Sequence, residues 1–158
     1  MLAMDTVAEV KKCTDKPLGM KFYVSKKARI KHGAGNSPKD VIGFDYVMKD
    51  DSGACWSFYM ANPPYIGLSH PVIIECPLGV VSFDKYEIDY KKAISIIEQM
   101  RCGKDFTAMA LSWPLTPDVK EPLWFIRMAI GNEIVIGANT GDIHCYPSII
   151  TLYSVWPE

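Results

Sequence analysis

The chain has 158 residues, 49% of them hydrophobic and 22% charged, with a formal net charge of −1. That length makes one compact domain, or two small units packed together, and is enough to bury a core without staples. The near-zero charge lacks the basic excess of a dedicated nucleic-acid binder, and no run approaches the ~20 apolar residues of a membrane span.

Taken in chain order, the first predicted element is a helix over Thr6–Cys13, with Asp5 as its cap and Pro17 and Gly19 as its stop. Phe22, Val24 and Ile30 then mark an extended segment. Lys21, Lys26, Lys27, Arg29, Lys31 and His32 crowd around it. This cluster reads either as a phosphate or acidic-partner patch or as the solvated face of a strand. The loop from His32 to Lys39 is rich in turn formers and lacks the spacing of a phosphate loop.

The clearest hairpin joins Val41–Lys49 to Ala54–Ala61 through Asp50-Asp51-Ser52-Gly53. Asp starts such a turn with its side chain, and Gly accepts the positive φ that closes it. The stretch beyond Asn62-Pro63-Pro64 is broken by proline, with two short strands predicted at Val72–Cys76 and Gly79–Phe83. A second helix follows, capped by Asp89. Tyr90, Ala93, Ile94, Ile97 and Met100 recur on one face of it, and Gly103 is its stop. Strands are predicted at Phe106–Trp113, Leu123–Ile130, Glu133–Ala138, Ile143–Tyr146 and Ile149–Trp156, with Gly131-Asn132 as a tight turn. The sum predicts an α+β fold: a curved antiparallel sheet with one helix per half packed on one face. The same element order in residues 1–80 and 81–158 suggests two similar units.

The five cysteines, Cys13, Cys55, Cys76, Cys102 and Cys145, are odd in number and contain no C-x-x-C pair. That pattern argues against a zinc site and against a secreted disulfide framework. Met1–Val10 carries Asp5 and Glu9 and no apolar core, so it does not read as a signal peptide. Reduced thiols in the cytoplasm are the expectation. One or two disulfides in the periplasm are the alternative.

The helix Asp89–Arg101, the strand Leu123–Ile130 and the stretch Asn132–Asp142 carry a resemblance. They resemble a PepSY-type domain, a cystatin-like unit in which one helix packs on a curved antiparallel sheet. The ending Ala138-Asn139-Thr140-Gly141-Asp142 fits that family's small residue, variable position, Thr-Gly and acid. The family's usual acid just before this ending is Gly137 here. The resemblance implies a non-enzymatic module, often extracytoplasmic, that binds or restrains a partner such as a peptidase.

No catalytic, metal or cofactor signature occurs. The loop Trp113-Pro114-Leu115-Thr116-Pro117-Asp118 is stiffened by two prolines, and such a preordered aromatic loop suits partner binding. Trp124 and Phe125 point to opposite sides of their strand, so Trp113, Pro114, Leu115 and Trp124 form the candidate partner-binding set. His70, Asp142 and His144 are the polar groups that a pocket between helix and sheet would use. The leading expectation is a non-catalytic protein-binding or inhibitory module, for example an immunity-type protein. The rival is a small-molecule binder or enzyme using that pocket, and a third reading is a homodimer formed by sheet-edge pairing.

Overall fold

The computed structural model describes residues 16, 17 and 19–147. Eight strands form one antiparallel sheet: β1 (Met20–Ile30), β2 (Val41–Asp50), β3 (Cys55–Ala61), β4 (Val72–Ile74), β5 (Phe106–Ser112), β6 (Leu123–Met128), β7 (Glu133–Gly137) and β8 (Ile143–Tyr146). Their spatial order is β4-β3-β2-β1-β5-β6-β7-β8. Among the described residues one α-helix, α1 (Tyr90–Glu98), lies between β4 and β5 in the chain. The expected α+β fold with a helix in each half is therefore corrected to a mainly-β fold. The helix expected at Thr6–Cys13 and the strand at Ile149–Trp156 lie outside the described residues.

The reason for the correction is pairing. A strand must satisfy backbone groups along both of its edges. β1 does so by pairing β2 on one side and β5 on the other, with Lys26 opposite Leu111 in the second ladder. The strands of the two halves thus become one continuous layer. The strand expected at Gly79–Phe83 does not form; Tyr23 and Phe83 exchange backbone hydrogen bonds of 2.7 and 2.9 Å instead.

Alternation decides what faces inward. Phe44, Tyr46 and Met48 of β2 are no more than 2% exposed, while Asp45 and Val47 between them are half-buried on the other face. Trp124, Ile126 and Met128 do the same for β6. Asp89 caps α1 by accepting from the Lys92 amide at 2.9 Å, and Ala93, Ile94 and Ile97 are buried against this core. Each isoleucine so placed contributes about 1.5–3 kcal/mol. The aromatic rings meet at the centre: Phe44 lies 5.4 Å from Tyr90 and 6.1 Å from Trp124, and Tyr46 stacks on Phe58 at 5.3 Å.

One member of the basic cluster is inside. Lys26 is 2% exposed, and its ammonium donates to the Tyr86 hydroxyl at 2.7 Å. It lies 4.4 Å from the Phe44 ring centre, 5.2 Å from Tyr46, 5.3 Å from Tyr86 and 5.9 Å from Trp124. Facing rings stabilise a desolvated cation through their quadrupoles. The cluster is thus split by strand alternation: Lys26 points into the core, and Lys27 and Arg29 point out.

The thiols are a second correction. Cys55 bonds to Cys76 and Cys102 to Cys145. The first bond ties the stretch after β4 to β3, and the second ties the stretch after α1 to β8.

Candidate functional site

Two faces of the sheet differ in cover. The inner face carries the core and α1. The outer face of the β1–β4 half presents Lys27 and Arg29 from β1, Gly43, Asp45, Val47 and Lys49 from β2, Ser57 and Tyr59 from β3, and Val72 and Ile74 from β4, in paired register. Gly43 is the key to its geometry. A Cβ there would stand 2.5 Å from Tyr59 Cζ and 2.7 Å from Cε1, so only glycine lets the Tyr59 ring lie on the β2 backbone. The Arg29 guanidinium stacks on that ring 4.1 Å from its centre. Asp45 then holds Arg29 in a two-point fork, accepting from Nε at 2.9 Å and from Nη2 at 2.8 Å. That side-chain bond raises the Arg29 pKa, against the smaller effect of desolvation. The guanidinium is fixed in position yet remains half exposed, at 53% for its side chain.

Beside this layer lies an open concavity of about 470 Å³, lined by Arg29, Asp45, Ser57, Tyr59, His70 and Ile74 among others. Ser69 frames it, its hydroxyl accepting from the Tyr59 amide at 2.8 Å. The segment leading into and out of β4 is unusually apolar for its exposure: Ile66 is 98% exposed, Leu68 57%, Val72 59%, Ile73 60% and Leu78 96%. Single exposed apolar residues are ordinary; here five fall in one segment of thirteen residues, Ile66 to Leu78. Among the described residues, nothing pairs with the outer edge of β4.

The residues singled out from sequence fall in different places. Leu115 is 66% exposed, and its amide donates to the Gly79 carbonyl at 2.9 Å, setting it beside the loop that carries Leu78. Pro114 is half-buried. Trp113 folds back: its indole donates to the Val119 carbonyl at 3.2 Å, and its ring lies 6.3 Å from Phe83. Trp124 is 0% exposed and donates to the Ile88 carbonyl at 2.7 Å, so it is a core residue with no surface to offer. His70 lines the outer concavity, whereas His144 sits on β8 at the opposite end of the sheet, stacked on Tyr146. Asp142 occupies an exposed turn after β7. The structure does not bring these three together. The lining of the concavity contains no residue of α1, and the helix–sheet interface is occupied by Phe44, Tyr90 and Trp124. No group of three His, Cys, Asp or Glu side chains suited to a metal occurs among the described residues.

The Ala138–Asp142 turn is held from outside. The Glu121 carboxylate accepts from the Asn139 amide at 2.8 Å, the Thr140 amide at 2.8 Å and the Thr140 hydroxyl at 2.7 Å. Desolvation pushes the Glu121 pKa up, but those three donors together outweigh it and lower it. A Cβ at residue 137 would stand 2.6 Å from Thr140 Oγ1 and 2.7 Å from Glu121 Cδ. Gly137 therefore leaves the room that Glu121 fills, and the turn's acid comes from the loop between β5 and β6. The backbone amides of residues 139 to 142 all donate within the protein, and Glu121 clamps the turn.

Sequence reasoning missed the Arg29–Tyr59–Gly43 stack and the apolar strip. The signal for the strip was present, as Ile66, Leu68, Val72, Ile73 and Leu78 all fall in a proline-broken stretch too irregular to bury them. The stack left no local signal, since its members come from three strands. No protein-family model, curated protein or solved structure matches this chain.

Proposed function

We propose that this protein is a non-catalytic binding module acting through protein–protein contact, with the outer face of β1–β4 and the strip from Tyr65 to Leu78 as its contact surface. The observation that carries this reading is the concentration of exposed apolar side chains on one segment, pinned by Cys55–Cys76, beside a rigid Arg29–Tyr59 pair. Interfaces draw most of their energy from a few preordered aromatic and arginine anchors surrounded by apolar area. Leu115 extends the surface through its contact with the Gly79 loop.

An inhibitory or peptidase-restraining role is the specific form of this reading. It is supported by the PepSY-like order of the second half, one capped helix followed by four antiparallel strands. The strand order is symmetric about the β1–β5 ladder, which supports two similar units joined at their first strands. Two disulfides favour an oxidising, extracytoplasmic compartment over the cytoplasm. Among the described residues, no helix is long and apolar enough to cross a membrane.

The test is retention of a partner from native lysate by the wild type and by an Ile66→Glu, Ile73→Lys double variant of equal thermal stability. The reading requires one stoichiometric protein held by the wild type and released by the variant. Equal retention by both refutes it. A second copy pairing along β4 is the competing occupant, and a concentration-dependent sedimentation coefficient abolished by Ile73→Lys identifies it.

A further inference from the structure

The outer face of β1–β4 is chemically lopsided. Its strand positions carry three cations, Lys27, Arg29 and Lys49, and one carboxylate, Asp45. Asp45 and Arg29 pair with one another, so Lys27 and Lys49 give the face its net positive charge. Arg29 gives one N–H each from Nε and Nη2 to Asp45 and also lines the concavity, so its other N–H groups are the donors it has left to offer there. His70 and Ser57 add hydrogen-bonding groups to the same lining. The other end of the concavity is aliphatic, formed by Val72 and Ile74. The space therefore has a polar end that carries the Arg29 donors, on a face of net positive charge, and an apolar end.

We propose that this concavity receives a segment of the protein partner in which a carboxylate side chain stands beside aliphatic residues, with Arg29 as the carboxylate's anchor. This deepens the protein-binding reading above and rests on it. The charge on the face attracts an acidic segment and repels a basic one. The stack on Tyr59 and the fork to Asp45 order the guanidinium before the partner arrives, so little side-chain entropy is lost on contact. Arginine also offers a carboxylate a directed donor that a lysine at this position would not. The aliphatic neighbours of the carboxylate cover Val72 and Ile74, removing part of the exposed apolar strip from water.

The test uses the full chain and two blocked peptides, Ac-Glu-Val-Leu-NH2 and Ac-Gln-Val-Leu-NH2, followed by amide NMR at low salt. The proposal predicts saturable shifts confined to Ser57, Tyr59, His70 and Ile74 and their neighbours, at least tenfold tighter for the glutamate peptide. Arg29→Gln, on a half-exposed side chain, is expected to keep the remaining spectrum and abolish the difference between the peptides. Added salt should narrow that difference in the wild type. Equal affinity for both peptides, shifts elsewhere on the molecule, or no saturable response overturns the carboxylate assignment. Should that happen while the Ile66→Glu, Ile73→Lys variant still releases a partner from lysate, the protein-binding reading stands and only the ligand chemistry falls.

Discussion

Glu121 and Gly137 offer a test of the turn clamp in which two substitutions should cost no more than one. Truncating Glu121 to alanine removes three charge-assisted hydrogen bonds of 2.7–2.8 Å. Bonds to a charged group are worth about 1.5–3 kcal/mol each, but the side chain is half exposed and water can take over the freed amides. A loss of about 2–3 kcal/mol is expected. Gly137→Ala keeps the carboxylate in the sequence but puts a methyl 2.7 Å from Glu121 Cδ and 2.6 Å from Thr140 Oγ1. The carboxylate must leave, and the same bonds are lost. Residue 137 closes β7 with no positive φ, so the backbone itself tolerates alanine. Independent effects would sum to about 4–6 kcal/mol in the double variant. The structure requires about 2–3 kcal/mol, a coupling as large as either single effect. Urea unfolding followed by tryptophan fluorescence measures all four corners of the cycle. Additive penalties would refute the clamp. The pH dependence must agree. Glu121 has a folded pKa below its ordinary value of 4.5, so its contribution is complete above that value and is lost as pH falls through the lower folded one. The wild-type advantage over Glu121→Ala should therefore shrink in acid.

Lys26→Ala is expected to cost about 2–5 kcal/mol, as for other large-to-small changes in a filled core. Lys26→Met should stay within about 1 kcal/mol of wild type, because shedding a buried ion's desolvation offsets the lost ring contacts; a methionine variant as weak as the alanine one in urea unfolding would show that the charge itself holds the cage. The Ser52 hydroxyl, then the Trp56 indole, hold the Asp50 pKa down to about 2, so the β2–β3 turn should keep its amide protection and Trp56 fluorescence through pH 4 and lose both as pH falls through about 2. A midpoint near the ordinary aspartate value would contradict those bonds. Removing a disulfide should cost about 3 kcal/mol for Cys55–Cys76 and about 4 kcal/mol for Cys102–Cys145, since they close loops of 21 and 43 residues. Thermal melting with and without reductant reads this directly, and an unchanged midpoint would mean that the bonds do not form.

The sequence alone determined what acts within a few residues. Asp89 as the cap of α1, the buried stripe Ala93, Ile94 and Ile97, and the Asp50–Gly53 turn with Gly53 at φ +88° are all local events, coded where they occur. Alternation also shows that Phe44, Tyr46 and Met48 share a face. It does not say which strand lies alongside. Only the tertiary structure decided that β1 pairs β5 across a long sequence separation, turning two expected helix-and-sheet units into one mainly-β layer. Strand alternation within that layer turns Lys26 into the aromatic centre and Trp124 into the core, and the β3–β4 ladder brings Cys55 within reach of Cys76. The β1–β2 and β2–β3 ladders build the Arg29–Tyr59–Gly43 stack from three separate strands. Apolar periodicity records which side of a strand avoids water, whereas partner choice depends on backbone hydrogen bonds and on the room left by distant side chains. Gly137, whose missing side chain makes space for Glu121, is one such case: its meaning lies in another loop.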